Sequence, residues 1–124
     1  MRKIKFRAWD KVKEIMYSNV HFDNDKYFPR QLKASEIDCL EFVKYTDCNI
    51  MQYTGLLDKR GVKIYEGDMV KAKLQIKQED YSFTGSIIFE NCKFTSENAD
   101  FELWIYEELE VIGNIYENPE LLKI

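Results

Sequence analysis

His21 is the sole histidine of the chain, so any histidine-based triad or metal centre would have to be assembled around this one residue. It lies between Val20 and Phe22 in a run of strand character, and nothing else marks it as a catalytic or metal-binding residue. Cys39, Cys48 and Cys92 form an odd set without CxxC spacing. That argues against both a disulfide framework and a zinc site, and leaves three reduced thiols packed as small apolar side chains. The pair Glu66 and Asp68 flanks Gly67. General acid and base chemistry needs two groups whose pKa values are pushed apart in a pocket, whereas a Glu-Gly-Asp triplet is also the grammar of a tight turn whose carboxylates bond local amides. The turn is the preferred reading, and with it a non-enzymatic protein that carries no cofactor and no metal.

Two further groups of residues have the chemistry of recognition. Lys3, Lys5, Arg7 and Trp9 alternate along one face of the first segment, and Lys71 and Lys73 repeat the pattern on a later one. Cations spaced along a strand beside an aromatic ring can track a phosphate backbone and stack a base, and can equally be the solvated edge of a sheet. The second group is Trp104, Tyr106, Glu107 and Glu108, where aromatic bulk runs into dense negative charge. Such a run suits an interface with a basic partner, because Trp and Tyr commonly dominate association energies, and suits a core strand followed by a solvated turn.

The elements that must hold these residues are short strands. Lys3–Trp9 alternates Ile4, Phe6 and Ala8 against its basic face; Asp10–Lys13 reads as a turn; and Ile15–Phe22 returns as a second strand. Ser35, followed three residues later by Asp38, has the form of a helix cap, with Ile37, Leu40 and Val43 on successive turns, so a short helix is expected in an otherwise poorly legible stretch from 27 to 50. After residue 50 the signal sharpens. A turn at Asp58–Gly61 precedes Val62–Tyr65, and Val70, Ala72, Leu74 and Ile76 alternate strictly with Lys71, Lys73, Gln75 and Lys77. A polar loop over 78–82, strands at Thr84–Phe89, Phe101–Tyr106 and Leu109–Tyr116, and a terminal helical turn opened by Asn118 and Pro119 complete the reading. The fold class is mainly β: residues 1–50 form a mixed N-terminal part, residues 51–124 a small antiparallel barrel, and the whole one cooperative unit.

Composition sets the outer limits. The chain of 124 residues carries a net charge of −4, with eight Phe, eight Tyr and two Trp to build a core. Its apolar runs are far shorter than the roughly 20 residues that cross a bilayer, and no apolar leader opens it, so no membrane association and a cytoplasmic location are expected. Charge is segregated: residues 1–13 hold six Lys or Arg against one Asp, and residues 90–124 hold nine acids against two Lys. Surfaces of opposite sign on separate copies attract, from which a homo-oligomer is expected.

The blocks FRAWDK at Phe6–Lys11, MQYTGLLDKRGVKIYEGDMVK at Met51–Lys71 and EVIGNIYENPELL at Glu110–Leu122 resemble the YopX family, in this order and across nearly the whole chain. The resemblance implies a protein of temperate phages and prophages, with a mixed N-terminal part and a C-terminal barrel similar to SH3 folds. It implies no activity. The function expected from the residues is therefore binding to a host or phage protein together with self-assembly, with nucleic-acid binding by the basic strands as the alternative.

Overall fold

The computed structural model describes residues 4–23, 31–35, 40–44 and 48–123, with side chains for 4–18, 20 and 48–122. The described residues are mainly β, with 3-10 turns in place of α-helices. The chain divides into two compact units, Met1–Tyr53 and Thr54–Ile124.

In the first unit, β1 (Phe6–Asp10) pairs antiparallel with β2 (Ile15–Tyr17), and on its other side with the start of β6 (Cys48–Leu57). The alternation expected from sequence sets the core. Ala8, Tyr17 and Val20 are buried, with Phe6, Ile15, Cys48 and Ile50 packed against them, whereas Ile4 lies 68% exposed, ahead of the first ladder pair. The single return strand expected over Ile15–Phe22 is two strands, β2 and β3 (Asn19–Asp23), separated at Ser18. β3 pairs with β4 (Gln31–Ser35), which pairs with β5 (Leu40–Lys44). The helix expected from Ser35 is corrected here. Ser35 closes a strand, and Leu40 and Val43 sit in the next, because the ladder to β4 satisfies the backbone of a segment rich in Phe and Val, residue types that favour strands. Asp38 and Cys39 lie outside the described residues.

In the second unit, β7 (Lys63–Tyr65) follows the end of β6, and β8 (Asp68–Ile76) is the central strand between β12 (Glu108–Asn114) and β9 (Glu79–Ser86). This curled antiparallel sheet makes a half-barrel. Val70, Ala72 and Leu74 turn inward to meet Ile64, Phe83, Ile87, Leu103, Tyr106 and Leu109, and Val70 has no exposed surface. Ile76, expected inside, is 36% exposed, because the ladder ends there opposite Glu79. The polar loop expected over 78–82 is much shorter. Lys77 and Gln78 both take positive φ, which closes a tight β8–β9 hairpin and lets β9 begin at Glu79. β9 breaks before Ile87, and β10 (Ile88–Glu90) folds onto β11 (Lys93–Thr95) as a separate hairpin. Cys92, expected to be packed, is exposed at its tip. The strand expected over Phe101–Tyr106 is instead a 3-10 turn at Leu103–Ile105, and a second 3-10 turn occupies Pro119–Lys123, as the terminal cap signature indicates.

Candidate protein-binding surface

Four buried polar side chains organise the turns around which the sheets are built. Asp10 Oδ1 accepts the amides of Val12 and Lys13 at 2.9 and 3.0 Å and shapes the β1–β2 turn. Asp68, next to Gly67 at φ +82°, accepts the Tyr65 amide at 2.8 Å, and the Glu-Gly-Asp triplet forms the turn that leads into β8. Asn114 accepts from the Tyr116 and Glu117 amides and donates to the Glu117 carboxylate, while Asn118 Oδ1 accepts the Asn114 amide. The approach there is so close that a Cβ on Gly113 would stand 2.6 Å from Asn118 Oδ1 and 2.8 Å from Leu121.

Asp58 is the most heavily used of the four. Its Oδ1 accepts the Arg60 and Val62 amides at 2.8 and 2.9 Å, and its Oδ2 accepts the Val111 amide at 3.0 Å across 53 positions of sequence. Arg60 Nη2 donates to the Val111 carbonyl at 2.9 Å. Val111 needs both partners because β12 is an edge strand: every second residue turns its backbone groups away from β8, and Leu109, two positions earlier, likewise gives its carbonyl to the Lys59 amide at 2.8 Å. Burial by itself would raise the Asp58 carboxyl pKa. The amides of Val111, Val62 and Arg60 and the charge of Arg60 together outweigh it and hold the carboxyl below its ordinary range.

The basic residues singled out in the sequence meet two different fates. Lys5 is exposed, Arg7 and Trp9 are half-buried on β1, and Lys3 lies outside the described residues. Lys71 and Lys73 do point to solvent from β8, but Glu110 and Glu108 of β12 stand directly opposite them in the ladder. Glu110 is also ion-paired to Lys59 at 3.4 Å, so charges of both signs are interleaved across this sheet surface in place of an unbroken cationic row.

The aromatic and acidic run behaves differently. Trp104 is 72% exposed, although Leu103 before it and Tyr106 two residues after it are both core residues. Tyr106 therefore does not join Trp104 on the surface. Its ring packs edge-on against Phe83 at 5.0 Å and lies 6.2 Å from Phe101, and its hydroxyl accepts the Asp100 amide at 3.1 Å. The three-residue period of the 3-10 turn explains the pattern: Leu103 and Tyr106, three apart, share the inward side and Trp104 is left outside. The same loop is braced by Phe101 against Tyr81 at 5.0 Å and by a 2.7 Å ion pair between Lys93 and Glu102. Glu107 and Glu108 are exposed, and among the described residues neither has an ion-pair partner. Close by, the Tyr81 hydroxyl is raised above its ordinary pKa by its hydrogen bond to Glu79, by burial and by the charge of Asp100. The surface thus presents one large ring, held on a loop that packing has already ordered, in negatively charged surroundings.

Among the described residues no group of His, Cys, Asp and Glu is placed to hold a metal ion, and no helix is long and apolar enough to cross a membrane. His21 sits in β3 opposite Lys33, with its side chain outside the described residues.

What fold and surface define is a mainly β protein whose buried carboxylates and amides make turns, and whose most prominent exposed ring stands on a braced loop. The model of the YopX family, described as YopX protein, matches residues 5–123, and the chain belongs to that family. A similar solved structure is the crystal structure of protein EF1440 from Enterococcus faecalis, at 29% identity and a TM-score of 0.73, covering 98% of this chain and 99% of that one. No curated protein matches the chain.

Proposed function

We propose that this YopX-family chain is a phage-type accessory protein of the host cytoplasm that acts by binding other proteins, including its own kind, and not by catalysis. The observation that carries the reading is Trp104, 72% exposed on a loop whose neighbours are fixed in the core. An exposed Trp on an ordered loop offers large apolar area with little conformational entropy left to lose, the property of an interface anchor. Glu107 and Glu108 give that anchor a charged rim, which steers and selects a partner more than it adds affinity.

Nucleic-acid binding draws less support, because the lysines of β8 face glutamates of β12. Affinity capture from infected host cells with the wild-type chain and with Trp104→Ala tests the protein-binding reading. Partners retained by the wild type and lost by Trp104→Ala, but kept by an exposed control, Leu57→Ala, are the expected result. Identical capture by all three chains would remove Trp104 from the surface that matters. Fluorescence anisotropy with single-stranded and duplex oligonucleotides at low salt is expected to show no binding.

A further inference from the structure

Val12 and Trp104, 73% and 72% exposed, are the two most exposed large apolar side chains among the described residues, and their surroundings are opposite in sign. Val12 sits at the tip of the β1–β2 turn between Lys11 and Lys13, all three exposed, with Glu14 the sole acid in that turn. The tip is built to a fixed shape: Asp10 Oδ1 takes the Val12 and Lys13 amides, and the Glu14 amide reaches the Asp10 carbonyl at 2.8 Å. Trp104 sits between Asp100 and Glu102 on one side and Glu107 and Glu108 on the other, and of these four only Glu102 has an ion pair among the described residues.

We infer that the Trp104 surface of one copy receives the Lys11–Val12–Lys13 tip of a second copy. This rests on the protein-binding reading above and names the occupant of the same surface. Three properties favour a second copy. Each surface exposes an apolar side chain that water covers poorly, and joining them buries both. The lysines meet exposed carboxylates, of which Asp100, Glu107 and Glu108 have no ion pair among the described residues although Lys73 stands opposite Glu108 in the ladder, and a lysine ammonium over the indole face adds a cation–π contact. Both tips are already ordered, so little freedom is lost on association. The two surfaces are different parts of the chain, so the contact is heterologous. Two reciprocal contacts close a dimer, and a single one continues into a ring or an open chain.

Light scattering on the full chain across concentration and ionic strength, with charge-reversed variants, tests the inference. The wild type is expected above its monomer mass of 14.9 kDa at low salt and to fall toward it as salt screens the charges. Lys11→Glu with Lys13→Glu in one chain, and Glu107→Lys with Glu108→Lys in another, should each weaken self-association at least tenfold. Mixing the two should restore a complex, because each then carries the other's lost partner surface. Recovery on mixing also shows that both variants are folded. A wild type that stays at monomer mass at low salt and high concentration overturns the inference, as does a mixture that fails to associate. The protein-binding reading fails separately, through capture that is indifferent to Trp104→Ala.

Discussion

The Asp58 turn and the Trp104 loop belong to the same compact unit and are both well ordered, yet they are held by opposite means. At Asp58 a carboxylate is buried and the backbone comes to it: three amides and one arginine close around a side chain with no exposed surface. At Trp104 the backbone is held by aromatic rings and the functional group is turned out. The first arrangement spends its polar chemistry entirely on architecture, and the second uses apolar packing to present a side chain to solvent. The contrast also follows the sequence. Asp10, Asp58, Asp68, Gly113 and Asn114 all lie within the three blocks by which the chain resembles its family, while Trp104 lies outside them. Residues that mark the family build turns, which is why membership fixes the fold and says so little about activity.

Variants can sharpen this contrast, and the largest effect is expected in the core that both regions share. Val70→Asp places an unpaired charge where there is no exposed surface and should cost more than about 4 kcal/mol, enough to unfold a domain of ordinary stability. Loss of the cooperative thermal transition by circular dichroism is the check, and a melting temperature near the parent's would mean the register of β8 is wrong.

Asp58→Ala comes next, at about 3–5 kcal/mol in urea unfolding, because it orphans amides that the turn and the outer edge of β12 present to one carboxylate. The same residue gives a pH signature. Its carboxyl is held below its unfolded pKa, so its contribution is present above that unfolded value and disappears as the pH falls through the folded one. Stability measured from neutral pH downward should therefore decline more steeply for the wild type than for Asp58→Asn. Parallel profiles would mean the charge of Asp58 is not what the amides read.

Gly113→Ala should cost about 1–3 kcal/mol, since its Cβ would displace Asn118 and Leu121, and a neutral result in the same assay would show that the terminal turn moves aside freely. The smallest effect on stability belongs to Trp104→Ala, expected within about 0.5 kcal/mol by thermal unfolding because the ring is mostly in solvent. Its effect on binding should be the largest. A Trp104→Ala chain that melts far below the parent would turn the ring into a structural element and collapse the distinction between the two regions.

How much of this could be read from sequence depended on which period governed each segment. Val70, Ala72 and Leu74 alternate with lysines, one side buried and one wet, and that pattern leads directly to β8. Pro119 after Asn118 led as directly to the terminal turn. Leu40 and Val43, three apart, have a helical spacing and fall on opposite faces of a strand, and the ladder to β4 overrode that local signal. Phe101–Tyr106 alternates well enough to pass as a strand; only the packing of Leu103 and Tyr106 on one side exposes its three-residue period. The binding surface was legible as composition but not as geometry. Trp104 and Tyr106 have similar chemistry and stand two residues apart, and whether each faces the core or the water depends on a turn that no local signal announced. Likewise Lys71 and Lys73 read as a cationic row until pairing set Glu110 and Glu108 beside them, a long-range fact of register.

The surplus residue in β12 has one further effect. Before the slip, Leu109 and Val111, both odd-numbered, pack toward the interior; beyond it the enclosed position is Asn114, an even one. One added backbone step has inverted the parity of the strand, and so turned a polar side chain inward at the point where it can gather the amides that follow and seat the last 3-10 turn. Excise Ile112, and the strand runs on without a step: Val111, Gly113 and Asn114 already stand opposite Val70, Met69 and Asp68, so Asn114 keeps its inward place and the closing turn keeps its anchorage, while a second residue added there would turn Asn114 outward.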